Sequence, residues 1–162
     1  MPVELSPLGI QGECHRRSDG RRELRVIYPN SPFAVRGALM TTTDALRGFD
    51  MDREDCETVE LVLAEVLNNV AEHAQSGDDG ATVELRVLLA EDAVACDVRD
   101  CGPPVPSELL HPSDPPSPAS LPEGGFGWYL IHSLCRNIAY RREDDRNILS
   151  LEISLHRRLT LS

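Results

Sequence analysis

ELVLAEVLNNVAEHA, residues 60–74, sorts its side chains onto two faces. At about 100° per residue, Val59, Leu63, Val66, Leu67, Val70 and Ala74 fall on one side of a helix from Cys56 to Ala74. Glu65, Asn69, Glu72 and His73 gather on another. Glu65 and Asn69 stand four apart, hence one above the other. A carboxamide oxygen is a hard ligand that suits Mg²⁺. A carboxylate beside it can take the proton of an attacking hydroxyl. The same pair also fits an ordinary solvated helix face. Two neutral amides, Asn68 and Asn69, inside a helix weigh against that, because asparagine is a poor helix former. The turn signal QSGDDG, residues 75–80, ends the segment.

Upstream, ELRVIY (23–28) alternates as a strand does, and PNSP (29–32) ends it. Ser31 is placed to cap a helix with Pro32 at its first position. Residues 33–49 carry Val35, Leu39 and Leu46 at helical spacing. Asp52 is the expected cap of the second helix. The first twenty residues, polar with scattered Gly, Pro and Ser, read as a flexible arm or a short edge strand. Within them His15 sits in CHRRSDG, which has no helical pattern and so offers no phosphoacceptor helix.

Downstream, ATVELRVLLA (81–90) and DAVACDVRDCG (92–102) read as a hairpin joined at AED. Residues 103–122 hold eight of the chain's 12 prolines. That density argues against a central strand or a regular helix and marks a functional or disordered loop. GGFG (124–127) then opens a helix with Leu130, Ile131 and Leu134 as its apolar stripe. NIAYRRE (137–143) and NILSLEISL (147–155) are two strands about the turn EDDR. The element order predicts an α+β, two-layer sandwich, a mixed or antiparallel sheet with helices on one face. At 162 residues the chain suffices for one such domain, 21–162, behind the arm 1–20.

Two further stretches carry chemistry. In VRDCGPP, Asp100 ends an apolar run and Gly102 permits a ligand to approach the backbone. The carboxylate can accept from an exocyclic amine such as adenine's, although Asp and Gly are also ordinary turn residues. In GGFG, glycines before a helix can aim amide N–H groups at an anion, or can simply let a packed helix begin. No Lys-Ser/Thr follows, so this is not a Walker A loop, and the GxGxxG dinucleotide pattern is absent.

With 27 acidic against 16 basic residues the net charge is -11. Such a surface repels nucleic acid and anionic lipid and suits a protein partner with a basic face. Cys14, Cys56, Cys96, Cys101 and Cys135 are odd in number and include no CxxC pair. That argues against a disulfide framework or a metal set and for a reducing interior. No leader pattern and no membrane-spanning apolar run are present. The expectation is a cytoplasmic protein that binds neither nucleic acid nor membrane.

In this order the pieces resemble the GHKL ATP-binding superfamily, with its Bergerat fold, from about Leu24 to Leu155. Glu65–Asn69 matches the N box, Asp100-x-Gly102 the first glycine box and Gly125-Phe126-Gly127 the second. The chain looks most like the anti-sigma-factor serine/threonine kinases of partner-switching systems. Its compact length, Pro104 in place of a third glycine and the NILSLEI ending point there. The resemblance implies that Asn69 would hold Mg²⁺ against the triphosphate of ATP and that Glu65 would be the general base toward a serine hydroxyl. Asp100 would bond the adenine amino group, and Gly102 would let the base lie against the backbone. Gly125, Phe126 and Gly127 would bind the nucleotide, the glycines lining its phosphates, under a lid at 103–122. His73 matches a histidine often found after the N box and is expected to be a core or packing histidine rather than a catalytic one. The implied partners are a STAS-domain antagonist and a sigma factor or other regulator, often with a homodimer. Some relatives place an arginine before the second glycine box, where Glu123 stands here. The alternative is therefore a nucleotide-dependent binding switch without phosphate transfer.

Overall fold

The computed structural model describes residues 9–73, 81–110, 125–156, 158 and 159, with the backbone alone at 125 and 126. The elements run β1 (Gln11–Arg16), β2 (Arg22–Pro29), α1 (Pro32–Gly48), α2 (Arg53–Glu72), β3 (Thr82–Leu89), β4 (Ala93–Asp100), α3 (Ser107–Leu110), α4 (Gly125–Leu134), β5 (Cys135–Glu143) and β6 (Arg146–Ser154). The strands form one sheet in the order β1-β2-β3-β4-β6-β5. Every pairing is antiparallel, so the sheet is antiparallel rather than mixed.

Strand alternation builds the core. Leu24, Val26 and Tyr28 of β2 share a face with Val83, Leu85 and Val87 of β3, with Val94, Cys96 and Val98 of β4 and with Leu149, Leu151 and Ile153 of β6; all are buried. The opposite parity carries charge, and Glu84 there accepts from Arg25 and Arg86. Two residues break the apolar parity. Asp100 ends β4 and Asn147 begins β6; both are buried, and the register pairs them directly. A sheet with one apolar face must cover it, and α1, α2 and α4 do so.

α1 begins as its sequence demands. The Ser31 hydroxyl accepts from the Ala34 N–H at 3.2 Å, with Pro32 at the first helical position. Asp52 occupies the cap position of α2 without a side-chain capping bond. Glu54 and Asp55 supply negative charge in the first turn, where the helix dipole favours it. Asp55 is instead drawn inward, its carboxylate accepting from the His156 N–H at 2.8 Å. α2 starts at Arg53, three residues before Cys56, and Val62 joins Val59, Leu63, Val66 and Leu67 in the core. Full burial of each such side chain is worth about 1.5–3 kcal/mol. α2 packs between α1 and α4, which holds its polar face at the end of the sheet where Asp100 and Asn147 lie.

The hairpin turns follow local chemistry. Ala90 N–H closes the β3–β4 connection on Ala93 O at 2.9 Å. Asp144 and Asp145 both adopt positive φ, 51° and 61°, as a two-residue type I′ connection requires. His15 lies on β1, an edge strand. The described part of the proline-rich segment, 103–110, contains one four-residue helical turn, α3, shorter than the regular helix that the proline density argues against. Pro106 precedes the turn and its carbonyl accepts from Leu109 N–H at 3.1 Å, and proline is tolerated at such a start. Residues 111–122 of the expected lid lie outside the described residues, as do Glu123 and Gly124. Among the described residues no helix is long and apolar enough to cross a membrane.

Candidate nucleotide site

A cavity of roughly 190 Å³ opens between the last turns of α2, the ends of β4 and β6, and the segment from Pro103 to Leu109. Asn69 and Asp100, thirty-one positions apart in sequence, both line it, with Val66 and Val98 as apolar wall. Glu65 lies one helical turn before Asn69 and beside α4. A Cβ placed on Gly127 would sit 2.5 Å from Glu65 Oε2 and 3.6 Å from Asn69 Nδ2. Gly127 is therefore where α4 can approach the polar face of α2, because any side chain would displace the Glu65 carboxylate. Gly125 opens α4 and Phe126 follows it. The placement of the Phe126 side chain lies outside the described residues.

Gly102 is equally constrained. Its N–H donates to Asp100 Oδ2 at 2.9 Å, and a Cβ there would lie 2.7 Å from the same oxygen. Burial pushes the Asp100 carboxyl above its ordinary value. The Gly102 and Asn147 hydrogen bonds and the charges of Arg142 and His73 oppose that shift. Tyr28, wholly buried, is pushed up by burial and by the charge of Asp100. His73 is not a core residue: it caps α2, is exposed, and forms part of the cavity rim.

Three residues of the site had no motif to mark them. Trp128 lines the cavity, 7 % exposed, and its indole Nε1 has no hydrogen-bond partner among the described residues. Its ring meets His132 at 6.0 Å between centroids, and His132 Nε2 in turn lies 2.9 Å from Leu109 O. Asn147 donates to Pro103 O at 2.9 Å and to Asp100 Oδ2 at 3.3 Å. Tyr140 donates to Asn147 Oδ1 at 2.5 Å and accepts from Val105 N–H at 3.1 Å. These contacts tie the first residues of the expected lid to the β5–β6 hairpin. Asn147 has the parity of Leu149, Leu151 and Ile153 on β6, which marks it as inward-facing but does not name its partner.

The donor set fits a nucleotide. Buried polar groups are nearly always paired, yet Asn69 Nδ2 and Trp128 Nε1 are buried beside one cavity without partners among the described residues. Among the described residues no cluster of three His, Cys, Asp or Glu could hold a metal. A single amide suits Mg²⁺ only when phosphates supply further ligands, which is how that ion is commonly bound.

Comparison with known proteins agrees with this geometry. Residues 28–153 match the family model described as the histidine kinase-like ATPase domain. The chain belongs to that family, as its N-box and glycine-box resemblance implied. Among curated proteins it is similar to the serine-protein kinase RsbW of Bacillus cereus (strain AH187) and to the protein of the same name from Bacillus anthracis. Each is 26% identical over 111 residues, covering 63% of this chain and 65% of the relative. The match thus spans just under two thirds of those relatives' length.

Proposed function

We propose that the chain is an ATP-dependent serine/threonine-protein kinase of the anti-sigma type, acting in the cytoplasm. The observation that carries this reading is the convergence of Asn69 and Asp100 on one cavity where two buried donors, Asn69 Nδ2 and Trp128 Nε1, have no partner among the described residues. Asp100 accepts from the adenine amine at Oδ1. Gly102 lets the base lie flat, and the first turn of α4 (Gly125, Phe126, Gly127) faces the phosphates. Mg²⁺, held by Asn69 and the phosphates, would supply charge compensation for phosphoryl transfer. Glu65, one turn from Asn69, takes the proton from the attacking serine hydroxyl. The acceptor serine belongs to a STAS-domain antagonist. Phosphorylation releases that antagonist, and the kinase, as a homodimer, then sequesters a sigma factor or other regulator. The 26% identity to proteins named serine-protein kinase supports the reaction class.

Glu123 supports a second reading. It stands where some relatives carry an arginine, and without that charge the chain would be a nucleotide-dependent binding switch. Incubation with Mg-ATP and a STAS-domain antagonist separates the two. Phosphoserine on the antagonist, retained in Cys56→Ser, supports the kinase. Tight ATP binding with no transfer selects the switch.

Gly127→Ala should split stability from activity. Alanine in place of glycine inside a helix gains up to about 1 kcal/mol, and the atom it meets is the flexible end of Glu65. The melting temperature should hold or rise while phosphate transfer falls, because the displaced carboxylate is the base. Unchanged transfer would remove Glu65 from that role.

A further inference from the structure

Asp100 takes both of its described hydrogen bonds at Oδ2, from Gly102 N–H and from Asn147 Nδ2. Among the described residues no hydrogen bond reaches Oδ1, and Asp100 lines the cavity. The arrangement depends on which way the Asn147 amide points, since a reversed amide would set its oxygen against the carboxylate. Arg142 decides that direction. Its Nη1 lies 2.9 Å from Asn147 Oδ1 and 3.0 Å from Gly102 O. A guanidinium only donates, so it accepts no other face of the amide. The Tyr140 hydroxyl, also on Asn147 Oδ1, could donate or accept and would not fix the amide alone. Asn147 Nδ2 is thereby committed to Asp100 Oδ2, Gly102 O and Pro103 O.

We propose that Arg142, acting through the oriented Asn147 amide, holds Asp100 as a fixed acceptor and so sets the preference for a base bearing an exocyclic amine over one bearing a carbonyl at the same position. This rests on the nucleotide reading of the cavity. Arg142 is a positioning residue: it is exposed at the β5 edge, opposite Asn147 in the register, and reaches the base only through Asn147 and Asp100. Its charge also counts among the groups that face Asp100, with His73 from α2, Tyr28 from β2 and Asn147 from β6.

The test compares ADP with IDP, which differ at the purine in the 6-substituent, amine against carbonyl, and in the N1 proton that accompanies the carbonyl. The wild-type chain should prefer ADP by about tenfold or more, the worth of a hydrogen bond to a charged acceptor. In Arg142→Ala and Asn147→Ala the ratio of the two affinities should fall at least about fivefold, as the carboxylate loses its fixed orientation. Arg142→Lys, which retains a donor-only group, should restore most of it. Arg141→Ala, whose side chain pairs with Glu143, should leave the ratio unchanged. ADP binding by Arg142→Ala should also fail at a higher pH on acidification than in the wild type, because a charge that favours ionised Asp100 is gone. A purely structural Arg142 would lower the melting temperature and move neither the ratio nor the pH profile; that result overturns the proposal. If the wild type binds ADP and IDP equally, the proposal fails while nucleotide binding stands. If it binds neither, the nucleotide reading fails and takes the proposal with it.

Discussion

Glu65→Gln should cut phosphate transfer to a serine acceptor by about 10²–10⁴-fold, the usual contribution of a general base, with ATP affinity unchanged. The two effects separate because Glu65 stands beside Gly127 rather than among the residues that line the cavity. Its backbone position is secured by Val62, Leu63 and Val66, all in the core, so the amide variant should fold as the parent does. Phosphoserine formed under saturating Mg-ATP reads the outcome. Transfer at the parental rate in the Gln variant would mean that another group accepts the proton.

Asp100→Asn should weaken adenine-nucleotide binding by about 10–100-fold, the range expected for losing a hydrogen bond to an ionised group. The same substitution should leave thermal stability at neutral pH equal or higher. Burial raises the Asp100 carboxyl above 3.8, so the folded state holds the proton more tightly than the unfolded chain does. The sign follows by linkage. Ionising this group costs stability: the cost is absent below its unfolded value and complete once pH has risen through its folded value. The amide removes that cost and can still accept from the Gly102 N–H. Thermal denaturation across pH should therefore show the variant's advantage shrinking on acidification. A variant that unfolds at lower temperature than the parent at every pH would contradict this account of Asp100.

Periodicity made α2 and both hairpins legible, because their apolar residues repeat at the period of the structure they form. The capping of α1 was equally plain, since Ser31 and Pro32 act on their immediate neighbours. The uncapped start of α2 was not: Asp52 matched a cap residue by type, but the bond depends on side-chain geometry that type does not set. Trp128 was hidden by its setting. The predicted stripe of α4 was Leu130, Ile131 and Leu134, yet Trp128 and Ile131 are the buried pair while Leu130 and Leu134 are half-buried. Asn147 and Arg142 needed the register of β4, β6 and β5, which brings residues about 45 positions apart into hydrogen-bond contact. No local pattern encodes such a pairing. Glu65, Asn69, Asp100, Gly102 and Gly127 each lie in a short motif, and the structure brings those motifs to one end of the sheet; their roles toward a nucleotide are the proposal made above.

Trp128 is the chain's only tryptophan and lines the cavity, so its emission reports directly on that space. The central claim is that an adenine nucleotide occupies the cavity shared by Asn69, Asp100 and Trp128. Titration with Mg-ATP should give a saturable change in tryptophan emission in the wild type, and Asp100→Asn should shift it to higher concentration by about 10–100-fold. No saturable change in the wild type, or the same half-saturation in both proteins, would contradict the claim.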